Sequence, residues 1–168
     1  AAGSTVVTAR VALDLGKGNA DTVIPFNGKT TSLYRQQVLH HKDNPWTRHL
    51  PLKISFAKSV NSVFGRLGVQ HVGGKALLDY AQRLGFNREI KSDVEISPSR
   101  LALNLDNPWS IVEAASGWTQ KTTMSPVHAA VLAAATINGG CIVQPSLVDA
   151  ITDTQRIVLY ADDEPFAP

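Results

Sequence analysis

KISFAKSVNSVFGRLG, Lys53 to Gly68, carries two spacings with chemical meaning inside a helical pattern. Phe56, Val60, Val63, Phe64 and Leu67 recur at three and four residues, the signature of an amphipathic helix, with a break near Ser59. Ser55 and Lys58 stand three apart. On a helix that spacing puts both on one face, where a lysine of lowered pKa can take the proton of a serine nucleophile. The competing reading makes Ser55 and Lys58 the wet side of the helix whose apolar stripe is Phe56, Val60 and Val63. Ser59 and Asn61 form a Ser-x-Asn pair, in which a hydroxyl can relay a proton and an amide can hold a substrate amide.

Working outward, residues 4–15 read as a helix with Ser4 or Thr5 as its cap. Val7, Val11, Leu13 and Leu15 make it apolar, and Gly16 and Gly18 end it. Residues 19–50 are turn-rich, with strand-like pieces such as TVIPF. VGGKALLDYAQRLGF is a second amphipathic helix, stopped by Gly85, and residues 87–108 read as loop. SPVHAAVLAAATINGG is a helix with Ser125 as cap, Pro126 in the first turn and Gly139-Gly140 at its end. CIVQPSLVDAITD and RIVLYADD then read as strands joined by a turn at Asp153–Gln155. The expected class is α+β, with a helical part over about residues 1–140 and the start of a β region over about 141–160.

A chain of 168 residues fits one domain or a large piece of one. Hydrophobic content of 43% and charged content of 18% are those of a globular protein. The net charge of +2 gives no reason to expect a nucleic-acid partner. The longest apolar run, Val127 to Ile137, is interrupted by His128 and Thr136 and is too short for a membrane span. The opening AAGSTVVTARVALDL has no initiator Met and starts in mid-pattern, so the expectation is an excerpt of a longer protein. Cys141 is the only cysteine, which excludes an internal disulfide and a multi-cysteine zinc site.

Two further patterns fail on chemistry. NGKTTS, Asn27 to Ser32, lacks the upstream glycine of a phosphate loop, since that position is Val23. It reads as a polar turn, and a nucleotide-binding protein is a distant alternative. His40, His41, Asp43 and His49 show no i,i+4 ligand pair and read as solvated loop residues. No metal site and no cofactor are expected.

The order of several segments adds a resemblance. FAKSVNSVFGRLG, then GGKALLDYAQRLGFN, then ASGWTQKTTMSPVHAAVLAAATINGGCIVQPSLV resemble the transpeptidase domain of penicillin-binding proteins, over nearly the whole chain. The resemblance implies a serine-acyltransferase fold, an acyl-enzyme mechanism and peptidoglycan stem peptides and β-lactams as ligands. It makes Ser59-Val60-Asn61 the second motif, with Ser59 relaying protons and Asn61 contacting the substrate amide. It makes Ser4, in AAGSTVVTARVALDLGKG, the nucleophile by position, with Thr5 beside it at the substrate. It demotes Ser55 and Lys58 to a chance spacing. It also implies an extracytoplasmic location, periplasmic in a parent anchored in the inner membrane, with cell-wall synthesis proteins as candidate partners.

The sequence departs from the family pattern twice. The family reads Gly-Ser-Thr-Phe-Lys, whereas this chain reads Gly3-Ser4-Thr5-Val6-Val7, as though Phe-Lys had been removed. Either this is a degenerate relative, or the sequence lacks two residues of its parent. The third family motif, Lys-Thr-Gly, is absent, and Lys121-Thr122-Thr123 does not replace it. Two functions therefore compete: part of a D,D-transpeptidase domain, itself a poor catalyst, or a non-catalytic module of that scaffold binding peptidoglycan or a partner protein.

Overall fold

The computed structural model describes residues 2–148, 150–152 and 158–161. Helix α1 spans Ala2–Asp14 and turns its Val7, Val11 and Ala12 face into the core. It starts before Ser4 and Thr5, so neither is its cap; both lie buried within its first turns. Leu13 and Leu15, read from sequence as part of the apolar pattern, are exposed. Gly16, in the left-handed region at φ 62°, follows the helix end.

TVIPF contributes strand β1 (Val23–Phe26), which pairs antiparallel with β2 (Arg48–Pro51), Ile24 opposite Leu50. Between them lies the short helix α2 (Arg35–Leu39). The Lys53–Gly68 stretch is not one helix. It divides into α3 (Leu52–Ala57) and α4 (Asn61–Arg66), and a π-helical segment (Leu67–Val72) continues α4. The division falls at Ser59, one of two non-glycine residues with positive φ among the described residues, at 48°. The break resets the helical face. Ser55 is fully buried beside Leu52, whereas Phe56 is 44% exposed. Both expectations for this helix, Ser55 on the wet side and Phe56 in the apolar stripe, are corrected by that reset.

Helix α5 (Gly74–Arg83) ends before Gly85, at φ 88°. Helix α6 (Pro108–Ser116) was not expected from sequence. Its cap is Asn107, whose side chain accepts from the Trp109 N–H, and Gly117 closes it in the left-handed region. Helix α7 (Pro126–Ile137) has the expected Ser125 cap, accepting from the His128 N–H at 3.2 Å. Strands β3 (Ala150–Thr152) and β4 (Val158–Ala161) form a second antiparallel pair. The stretch Cys141–Val148, expected as strand, forms none; the predicted turn at Asp153–Gln155 lies outside the described residues.

The core joins α1, α4, α5 and α6 through Val7, Val11, Val63, Phe64, Leu77, Phe86 and Ala115, all fully buried. Two glycines let α4 and its π-helical continuation approach α6. A Cβ on Gly65 would stand 2.8 Å from Val112 Cγ1, and one on Gly68 would stand 2.2 Å from Ala115 Cβ. Arg66, on the same element, donates to the Pro25 carbonyl and ties α4 to β1. Burial lowers its pKa from the usual guanidinium value, with the Asp43 charge opposing, and it stays protonated at neutral pH.

Residues 146–148 are fastened by a carboxylate rather than a strand ladder. Asp93 accepts from the Ser146 hydroxyl and from the N–H groups of Leu147 and Val148, at 3.0, 2.7 and 2.9 Å. These bonds, first the two backbone donors, hold Asp93 below the ordinary aspartate pKa. Their contribution is complete above about pH 3.9, the unfolded value, and disappears as pH falls through the lower folded value. The Leu147 and Val148 amide shifts should therefore titrate together below that point, and Asp93→Asn should abolish the titration. A second prediction concerns the glycine contact. Gly68→Ala should destabilise the fold by about 1–3 kcal/mol through overpacking, read as a lower urea midpoint. Ala115→Gly in the same chain should restore part of the loss.

Candidate active site

The Ser59–Asn61 turn is built by its backbone. The Ser59 N–H donates to the Phe56 carbonyl and the Val60 N–H to the Ser55 carbonyl, closing α3. Val60 is fully buried and acts as the anchor. Ser59, forced into the left-handed region between them, is exposed. Non-glycine residues adopt that region at a cost and concentrate there at functional turns. Asn61, 9% exposed, begins α4 and reaches to the Asn27–Ser32 loop. Its backbone N–H donates to the Thr30 carbonyl at 2.9 Å and its side-chain amide to the Thr31 carbonyl at 3.0 Å. One side-chain N–H is thereby used; among the described residues the amide oxygen and second N–H make no hydrogen bond.

Ser4 lies in the first turn of α1, where backbone N–H groups without helical partners and the positive end of the helix dipole favour developing negative charge. Its surroundings are nevertheless closed. Ser4 is 1% exposed, and its hydroxyl has no hydrogen-bond partner among the described residues. Thr8 holds this turn against α6, its single hydroxyl proton shared between the Ser4 and Ala115 carbonyls, each 2.9 Å from Oγ1. On the neighbouring side, a Cβ on Gly3 would stand 2.7 Å from the Met124 sulfur and 3.3 Å from the Phe86 ring. Thr5 is 6% exposed. The position three residues after Ser4 is Val7, fully buried.

Helix α1 packs against both α4 and α6, so the Ser4 and Ser59–Asn61 elements share one core. Among the described residues no hydrogen bond joins Ser4 to Ser59 or Asn61. Nor do two cavities of the structure bring them together. One of about 560 Å³ lies along the other face of α1, against Val6, Arg10, Asp14, Tyr80 and Leu132. Another of about 260 Å³ lies beside Leu84, Arg88, His128 and Val131. Neither is lined by Ser4, Ser59 or Asn61.

The remaining candidates are placed elsewhere. Thr123 forms an isolated antiparallel bridge with Arg100. His41 is hydrogen-bonded to Asp43 at 2.9 Å, and His40 and His49 are exposed. Among the described residues no group of three or more His, Cys, Asp or Glu side chains is placed to hold a metal, and no helix is long and apolar enough to cross a membrane. The sequence reading missed two contributors. Thr8, one turn after Ser4, buttresses the serine, and the Asn27–Ser32 loop, read only as a polar turn, is a direct partner of Asn61. Serine and threonine four apart on a helix offered a signal for the first; nothing local signals the second, because the contact spans 30 residues.

The family model described as penicillin binding protein transpeptidase domain matches residues 1–166. No curated protein matches the chain. Among solved structures, a ceftriaxone acyl-enzyme complex of penicillin-binding protein A from M. tuberculosis is similar at TM-score 0.72 and 23% identity, covering 95% of this chain and 36% of that one. Another structure of that protein gives 0.72 at 22% identity, covering 96% and 37%. The D,D-transpeptidase domain of a peptidoglycan glycosyltransferase from Eggerthella lenta gives 0.71 at 23% identity, covering 96% and 42%. At these identities the likeness shows the fold. The chain spans well under half the length of these structures.

A lysine at position 7 would occupy the sequence spacing of a general base but not an environment for one. Val7→Lys should cost on the order of 4 kcal/mol at neutral pH, because burial disfavours the ammonium by several pKa units. Its folded pKa falls below the unfolded value, so the penalty is full at low pH and shrinks as pH rises towards about 10.4. Urea unfolding of the variant at several pH values measures both the size and the slope.

Proposed function

Because the chain belongs to the penicillin-binding-protein transpeptidase family, we propose that it is part of a D,D-transpeptidase domain whose parent cross-links peptidoglycan through a serine acyl-enzyme. Ser4 Oγ would attack the carbonyl of a D-alanyl-D-alanine stem peptide and expel the terminal D-alanine, whose amine takes up a proton. An acceptor amine would then take the acyl group. Ser59 relays protons, Asn61 meets the substrate amide with its unused groups, and Thr5 lies beside the reacting serine. β-Lactams would acylate the same serine. The parent works on the extracytoplasmic side, anchored in the inner membrane, beside cell-wall synthesis proteins.

The observation that carries this reading is the family match across residues 1–166, supported by the exposed, left-handed Ser59 next to Asn61. The piece itself is a poor catalyst. Ser4 is buried, and Val7 stands where the family places its lysine. Loss of a general base alone costs on the order of 10²–10⁴-fold. The same two facts favour the competing reading, a non-catalytic module of this scaffold that binds peptidoglycan or a partner protein.

Intact-mass measurement after incubation with benzylpenicillin separates them. The 168-residue chain should remain unmodified, whereas the full-length parent should gain one adduct that maps to Ser4. An unmodified parent would establish the non-catalytic module. An adduct on Ser55 would overturn the motif assignment.

A further inference from the structure

We infer that Asn138, at the exposed end of α7, is a site of spontaneous covalent modification through a succinimide formed with Gly139, whereas Asn27, in the same Asn-Gly pairing, is held inert by the fold. The backbone nitrogen of the residue after an asparagine attacks the side-chain amide carbon, and ammonia leaves as the ring closes. Water then opens the ring at either carbonyl, giving aspartate or a β-linked isoaspartate. A glycine in the second position leaves the nitrogen unhindered, because it carries no Cβ. The chain has two such pairs, Asn27-Gly28 and Asn138-Gly139, so their local sequence chemistry is the same.

At the end of α7 little restrains the approach. Asn138, Gly139 and Gly140 are all exposed. Among the described residues neither the Asn138 side chain nor the Gly139 N–H has a hydrogen-bond partner. Asn138 must rotate from its ψ of 39° for the two atoms to meet. A Cβ on Gly139 or Gly140 would meet nothing within 4 Å, so the chain turns there without collision. The bonds that open are those of an exposed turn, from the Gly140 N–H to the Ala135 carbonyl at 2.9 Å and from the Cys141 N–H to the Asn138 carbonyl at 3.0 Å. Helix ends of this kind fray at low cost.

Asn27 is the opposite case. It is 9% exposed, its side-chain N–H donates to the Lys42 carbonyl at 3.1 Å, and its amide oxygen accepts from the Thr47 hydroxyl at 2.8 Å. Gly28 is confined as well, since a Cβ there would stand 2.9 Å from Gln37 Oε1 and 3.0 Å from Ser32 Oγ. Cyclisation at Asn27 has to break two side-chain hydrogen bonds inside a packed loop before the atoms can meet. At Asn138 the product changes the helix end. A new carboxylate stands at the negative pole of α7, where it is unfavourable. Isoaspartate adds a backbone atom between the Asn138 N–H, which donates to the Ala134 carbonyl at 3.0 Å, and the Gly140 N–H, so the two closing bonds lose their register.

The test incubates the 168-residue chain at mildly alkaline pH, where the attacking nitrogen loses its proton more readily, once folded and once in guanidinium chloride. Electron-transfer fragmentation of proteolytic peptides then locates the product and distinguishes aspartate from isoaspartate. In the folded chain product should accumulate at position 138, with Asn27 reacting at least about tenfold more slowly. In denaturant the two positions should react at comparable rates, because only the fold separates them. Asn138→Gln should remove the fast reaction of the folded chain, since a longer side chain closes the ring poorly. The modified chain should also lose hydrogen-exchange protection at the Gly140 amide. Equal rates at both positions in the folded chain, or no product at position 138 in the folded chain, would overturn the inference.

Discussion

The approach of the α4 element to α6 is the constraint on which the rest of the structure depends. Gly65 and Gly68 lie three apart and therefore share one face. Opposite them, Val112 and Ala115 fill the space that a Cβ would need. Closeness of this kind permits one lateral position for α6 and hence fixes where Ala115 stands. Ala115 in turn provides the carbonyl on which Thr8 rests, and Thr8 also holds the Ser4 turn. Two glycines near the end of the Ser-x-Asn stretch thus position the first turn of α1, more than 50 residues away in sequence. The continuation of α4 as a π-helical segment, closed by the bond from the Gly73 N–H to the Gly68 carbonyl at 2.7 Å, belongs to the same contact. Wider helical turns occur where a regular helix would present the wrong surface.

The left-handed Ser59 is the second organising feature, and it depends on the first. Phe64, Val63 and Val60 are all fully buried, so α4 has no freedom to rotate. Helix α3 must present Leu52 and Ser55 to the same core from a different direction. Only a turn between the two helices reconciles these faces, and the turn exposes a serine hydroxyl. Backbone strain of this sort costs on the order of 1–3 kcal/mol and persists when the surroundings over-determine it. Here the core on one side and the Asn61–Thr30 bond on the other supply that determination.

What was legible in the sequence follows from where each element gets its order. Helix α7 takes its limits from local chemistry, Ser125 and Pro126 at one end and Gly139 at the other, and those are visible in the residues themselves. Helix α6 has a cap, a proline and a terminal glycine of the same kind. It went unread because Ile111, Val112, Ala114 and Ala115 are buried on more than one face, which erases the 3.6-residue period. The break at Ser59 was readable, but its consequence for Ser55 was not, since a six-residue helix carries too little pattern to define a face. The stretch Cys141–Val148 has strand-like composition but is fastened by Asp93, 53 to 55 residues earlier; no local signal encodes such a bond. At the site, the Ser59–Asn61 turn was visible as a spacing, whereas its partner loop and the burial of Ser4 arise only from tertiary packing.

The burial of Ser4 and the absence of a lysine have a common geometric origin. An α-helix turns by about 100° per residue. Ser4 precedes Val11 by seven residues, about two full turns, so it points with Val7 and Val11 into the core, where its hydroxyl has no partner among the described residues. Phe-Lys between Thr5 and Val6 would turn the serine by about 200° relative to those valines and bring it onto the stripe of Val6, Arg10 and Asp14. That stripe lines the 560 Å³ cavity. The lysine, three residues after the serine, would also face away from Val7 and Val11. A two-residue difference at one point would thus change which side of α1 carries residue 4 while leaving the Val7 and Val11 contacts of α1 in place.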